Sequence, residues 1–151
     1  MNNLTTAPLP DSGQLDWVLI FACWLLASVS MLGSLFFSEV MGLPPCVLCW
    51  YQRIFMYPLV VILLPGLFPL DPGVIRYALP LALIGWGFGV YHYLVYSGYI
   101  PEALQPCDSG GVSCSEINLE LFGLITIPMM SILSFTAIIV MLAIVKKRNR
   151  S

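Results

Sequence analysis

Charge is scarce in this chain. Six Lys or Arg and eight Asp or Glu amount to 9% of its 151 residues. A soluble domain carries about a quarter charged residues. The shortage excludes an ordinary soluble globule, because too little polar surface is available to cover one. Histidine occurs once, as His92. No Lys or Arg precedes Trp17, and the first apolar run is too long for the core of a signal peptide, so none is expected. There is no internal repeat, no low-complexity tract and no room for a second soluble domain. A nucleic-acid partner is not expected.

What the chain has is apolar length. Hydrophobic residues make up 59% of it and the mean hydropathy is +0.90. Four runs can span a bilayer as helices, at residues 17–38, 54–70, 77–97 and 121–145. The second extends back to Trp50 if Arg53 is admitted. The runs are continuous rather than alternating, which favours helices over barrel strands. Pro58, Pro65, Pro69, Pro80 and Pro128 fall inside them and predict kinks. The predicted fold is an all-α, integral membrane four-helix bundle. A polar tail (residues 1–16) precedes the membrane domain (17–145), and a basic tail (146–151) follows it.

Basic residues predict the orientation. Lys146, Lys147, Arg148 and Arg150 follow the fourth span, and Arg76 lies just after the turn between spans two and three. Both places share one side. Arg53 alone belongs to the other. The expectation is therefore N-in and C-in. The segment 98–120 carries Glu102, Asp108, Glu116 and Glu120 and no Lys or Arg, as an exported loop can. Cys46, Cys49, Cys107 and Cys114 then lie on the extracytoplasmic side, where disulfides form and persist. Cys23 falls within span one and is expected to be plain packing.

The first pair sits in Pro44-Pro45-Cys46-Val47-Leu48-Cys49-Trp50-Tyr51-Gln52-Arg53. Prolines halt whatever precedes them, and a proline is comfortable in the first turn of a helix, so a helix is predicted to start near Pro45. Cys46 then lies in the first turn, where free N–H groups and the helix dipole stabilise a thiolate. Cys49 and Arg53 follow on the same face, one turn deeper each. An arginine at that depth is either an interfacial anchor or a positive charge aimed at a redox partner beside Cys49; the spacing to both thiols favours the second.

The second pair is Cys107-Asp108-Ser109-Gly110-Gly111-Val112-Ser113-Cys114. Gly110 and Gly111 allow tight turning, so a Cys107–Cys114 bridge is sterically easy. A loop that short stabilises little by closing, which makes it a poor staple and a good exchange site. Two dithiols on one side of a membrane suit electron transfer by thiol–disulfide exchange. A four-thiolate zinc site is the alternative for two such pairs, but C-x6-C is a poor zinc spacing and no metal is expected. Two inert structural disulfides in a non-catalytic membrane subunit or assembly factor remain the other alternative.

The stretch Pro45-Cys46-Val47-Leu48-Cys49-Trp50-Tyr51-Gln52-Arg53 resembles the signature of the disulfide-bond formation protein B (DsbB) family. Phe122-Gly123-Leu124-Ile125-Thr126-Ile127-Pro128 resembles that family's start of helix four, and Tyr91-His92-Tyr93 resembles its short-loop, BdbC-like branch. The resemblance implies a bacterial inner-membrane oxidoreductase with four helices. Such a protein reoxidises a soluble extracytoplasmic thioredoxin-like thiol oxidase (DsbA- or BdbD-like) and passes the electrons to a membrane quinone, ubiquinone or menaquinone. By that resemblance Cys49 faces the quinone and Cys46 is its disulfide partner. Cys107 is the cysteine attacked by the partner protein, and Cys114 resolves. Arg53 is the quinone-site arginine, His92 a quinone contact, and Ile127 with Pro128 line the quinone pocket. Only six residues separate Cys107 from Cys114, unlike the long-loop members of the family.

Overall fold

Continuous apolar sequence with internally satisfied backbone gives four helices in the computed structural model, which describes residues 12–68, 71–100 and 126–150. They are α1 (Ser12–Leu35), α2 (Val47–Leu63), α3 (Ile75–Tyr96) and α4 (Ile127–Arg148). A π-helical turn, Phe36–Val40, prolongs α1, and a 3-10 turn, Pro72–Val74, leads into α3. The all-α four-helix architecture expected from the four apolar runs is the one observed. The helices are displaced from those runs at their ends. α1 begins at Ser12 rather than near residue 17, α2 covers Val47–Leu63 rather than 50–70, and α4 continues to Arg148.

Local chemistry explains the stops and starts. Gly42 takes a left-handed conformation (φ 66°) just after the Met41 N–H bonds the Phe36 carbonyl at 3.2 Å, and Pro44 and Pro45 then keep the chain extended. Gly98 (φ 74°) ends α3 in the same way, with the Tyr99 N–H on the Leu94 carbonyl at 3.1 Å. Asp71 caps the turn into α3 by accepting the Gly73 N–H at 2.8 Å. Both α2 and α3 continue through their internal prolines, Pro58 and Pro80.

The helices pack in cyclic order, α1 on α2, α2 on α3, α3 on α4 and α4 on α1. Their ends show that neighbours alternate in direction. Arg148 Nε lies 3.1 Å from Asp16 Oδ1 and the Asn149 amide donates to Asp16 Oδ2 at 2.9 Å, tying the start of α1 to the end of α4. At the opposite end, the start of α2 meets the end of α3 through Cys46 and His92.

The interior is filled by Ile20, Cys23 and Ala27 from α1, Met56, Leu59 and Leu63 from α2, Ala78 and Ala82 from α3, and Phe135, Ile138 and Leu142 from α4. On α3 the buried positions Ala78, Ala82, Gly85, Gly89, His92 and Val95 follow a 3.6-residue stripe, and all but the last two are small. Small residues let helix backbones approach closely. A Cβ at Gly85 would run into the Phe135 ring, so α4 fills the space that the missing side chain leaves. Cys23 is fully buried, its thiol directed to the Ile138 carbonyl at 3.8 Å.

Outside the bundle, large apolar side chains such as Val29, Leu32, Val61 and Leu133 are exposed. Such a surface suits hydrocarbon, not water. Among the described residues, three helices are long and apolar enough to cross a membrane, over Gly13–Val40, Pro72–Tyr96 and Ile127–Arg148. α2 has 17 residues, which is the short end of the usual range of about 17–25.

Candidate redox site

The site grows from the N-terminus of α2. Cys46 is the N-cap, not a first-turn residue, because Pro44 and Pro45 stay extended and the helix begins at Val47. Its backbone is extended (φ −68°, ψ 167°), and its sulfur accepts the Cys49 N–H at 3.4 Å, as a capping side chain does. The sulfur expected in the first turn is instead the cap of the helix. Cys49, one turn on, brings its Sγ to 2.8 Å from Cys46 Sγ.

From α3, His92 points its Nε2 at Cys46 Sγ, 3.7 Å away. Behind it, Gln52 Nε2 lies 3.0 Å from His92 Nδ1. With the Gln52 amide NH2 donating, Nδ1 accepts, and Nε2 is the ring nitrogen left facing the sulfur. Cys46, Gln52 and His92 are 2%, 7% and 3% exposed. Leu48, Val95, Tyr91 and Ile100 close around Cys46, while Cys49 is only half-buried. The Cys49 thiol's hydrogen bond holds the Cys46 thiol well below the ordinary thiol range; burial opposes this, and the His92 N–H adds to it.

Arg53 lies one turn beyond Cys49. Its Nη2 donates to the Ser34 carbonyl of α1 at 2.9 Å and its guanidinium sits 5.5 Å from the Trp50 ring centre. Its Nε is buried without a hydrogen-bond partner among the described residues. One face of this arginine thus locks α2 to α1 while a donor is left over.

The structure brings together Cys46, Cys49 and His92, with Arg53 one turn along the same helix. Pro128 is buried in the first turn of α4 and Ile127 is half-buried beside it, at the same end of the bundle. Neither is among the residues packed around Cys46. Cys107 and Cys114 lie outside the described residues. Gln52 was missed by sequence reasoning. Its signal was available: it is the one polar residue on a buried stripe otherwise made of Leu48, Met56, Leu59 and Leu63.

A membrane bundle with a dithiol and an arginine at the start of its second helix, met there by a histidine from the third, is an arrangement suited to thiol redox chemistry. A family model described as disulfide bond formation protein DsbB matches residues 16–145. A "Probable disulfide formation protein" of Metapseudomonas resinovorans is 44% identical over 140 residues, covering 93% of this chain and 97% of its own. A "Probable disulfide formation protein C 2" of Bacillus cereus is 47% identical over 138 residues, covering 89% and 98%. "Disulfide bond formation protein C" of Bacillus subtilis is 44% identical over 129 residues, covering 85% and 93%. No solved structure matches. The chain belongs to the DsbB family of disulfide bond formation proteins, a family of membrane oxidoreductases.

Proposed function

We propose that this protein reoxidises a soluble extracytoplasmic thioredoxin-like dithiol oxidase and delivers the electrons to a membrane quinone. The observation that carries this is the pairing of Cys46 and Cys49 at 2.8 Å, with one sulfur buried against His92 and the other half-open. The order of transfer is from the partner's dithiol to the Cys107–Cys114 disulfide, and from there to the Cys46–Cys49 disulfide. Each exchange needs an attacking thiolate and passes through a mixed disulfide.

The side chains divide the labour. His92 donates to Cys46 Sγ and stabilises it as the thiolate when the first disulfide opens. Gln52 holds the ring in the tautomer that permits this donation. Cys49 is the sulfur with access, which fits its place next to an electron acceptor. The residues fit a quinone: the unpartnered, buried Nε of Arg53 is a charged donor for a ring oxygen, and a buried donor left unsatisfied is costly. A quinone, when bound, supplies the two-electron sink that makes the chain of exchanges run in the oxidising direction. His92, and Ile127 with Pro128 at the start of α4, are assigned to the walls of that pocket.

Orientation follows from charge. Arg148 and the basic residues beside it lie at the end opposite Cys46, as does Arg76 at the start of α3. A cytoplasmic basic end places the cysteine end outside, in the bacterial inner membrane, with residues 17–145 as the membrane domain flanked by cytoplasmic tails.

The test mixes the purified protein with a reduced thioredoxin-like partner and follows quinone absorbance. Rapid quinone reduction that disappears in Cys49→Ser supports the proposal. No reduction, with all four cysteines inert to mild reductant, would leave a structural subunit with two fixed disulfides.

A further inference from the structure

The same corner of the bundle converges three soft or borderline ligand atoms. Cys46 Sγ, Cys49 Sγ and His92 Nε2 all lie within 4.8 Å of one another. We propose that the reduced site captures a thiophilic closed-shell divalent cation of the Zn2+ or Cd2+ type on Cys46, Cys49 and His92, and that the disulfide form does not bind it. The zinc alternative considered from the sequence needed all four thiolates. This donor set needs only the first pair, and His92 completes it.

The distances suit such an ion. With zinc–sulfur bonds of about 2.3 Å and zinc–nitrogen bonds of about 2.0–2.1 Å, a tetrahedral site sets sulfur and nitrogen about 3.5 Å apart and two sulfurs about 3.8 Å apart. Cys46 Sγ and His92 Nε2 already stand at 3.7 Å. The two sulfurs, at 2.8 Å, have to part by about 1 Å, and Cys49, being half-buried, has room on its open side. That side also leaves the fourth position for water. Metal-bound imidazoles need a partner on the far nitrogen. Gln52 stands 3.0 Å from Nδ1, and its amide, turned over, presents Oε1 to an Nδ1–H.

Binding changes no oxidation state. Two sulfur–metal bonds form, the Cys46 and Cys49 thiol protons leave, and the neutral imidazole lends its Nε2 lone pair while its proton moves to Nδ1. The dication cancels two thiolates in a poorly hydrated corner. A disulfide has no thiolate to offer, so the oxidised protein does not hold the ion. Occupancy would hold Cys46 and Cys49 out of exchange, making the reduced form the one open to inhibition. The inference goes beyond the proposed electron acceptor and requires only that Cys46 and Cys49 be reducible.

The experiment titrates Cd2+ alone into the full-length Cys107→Ser/Cys114→Ser protein in detergent, reduced and freed of reductant without air. The readout is the ultraviolet thiolate-to-cadmium band. One cadmium per chain is expected in the reduced protein and none in the oxidised. Cys46→Ser or Cys49→Ser should abolish the band even though Cys23 remains. His92→Ala should weaken binding at least tenfold, and Gln52→Leu by about tenfold. Should His92→Ala lose its helical circular dichroism, Gln52→Leu alone decides the role of the imidazole. No band in the reduced protein, a band in the oxidised protein, or undiminished affinity in the folded histidine or glutamine variants overturns the site. Quinone reduction by the native protein is scored separately, so either idea can fail without the other.

Discussion

Replacing His92 with phenylalanine should move the Cys46 titration upward and make the first disulfide harder to reduce. The ring shape is roughly kept, but the Nε2–H that faces Cys46 Sγ at 3.7 Å is gone. A hydrogen bond to a charged group contributes about 1.5–3 kcal/mol. At 1.36 kcal/mol for each pKa unit, the Cys46 midpoint should rise by about 1–2 units. The sign follows from the folded state. Cys46 is held below the ordinary thiol range, first by Cys49 and then by His92. The stability its thiolate gives the reduced fold is therefore fully present above that ordinary range and is lost as pH falls through the lowered midpoint. Without His92 that contribution is smaller, and its loss is complete at higher pH. Where Cys46 is ionised in the native protein, the same energy should lower the reduction potential of the pair by about 30–65 mV. The assay is the ultraviolet thiolate absorbance of the reduced Cys107→Ser/Cys114→Ser protein against pH, with the potential measured in thiol redox buffers. A midpoint that stays put, or falls, would refute the role given to the imidazole.

Gln52→Leu keeps the buried volume but frees His92 Nδ1, so the Cys46 midpoint should rise by less than in His92→Phe, with a stability loss of about 1–3 kcal/mol read from denaturation in detergent. Arg53→Met removes the spare buried donor and the Ser34 link. Quinone reduction should fall at least tenfold while thiol exchange between the two cysteine pairs, trapped by alkylation, persists; equal loss of both would put the arginine's role in folding. Gly85→Val drives a side chain into the Phe135 ring and should cost about 1–3 kcal/mol, and Phe135→Leu should recover part of that loss if the clash is the cause. Cys23→Ala should leave partner oxidation unchanged, because that thiol is sealed in the core and directed to the Ile138 carbonyl, out of reach of any exchange partner; a drop in rate with folding intact would contradict it.

Much of this molecule was legible before any coordinates. Low charge and four apolar runs determined a helical membrane protein, because hydrocarbon accepts only backbone that satisfies itself. The C-x-x-C beside two prolines placed a dithiol at a helix start, and its i, i+3 spacing is local geometry that a single helix settles alone. Three things needed the tertiary fold. His92 is forty-six residues from Cys46 in sequence, and only the alternating packing of α2 against α3 brings them together. Gln52 looked like any polar residue after a cysteine motif until its stripe proved buried and His92 proved to be its partner. Asp16, assigned to a polar tail, is instead buried at the start of α1, where Arg148 across the bundle pairs with its charge and Asn149 donates to Oδ2. Pattern along one helix specifies which residues turn inward; which of them meet depends on how four helices are arranged around one axis, and no single segment carries that information.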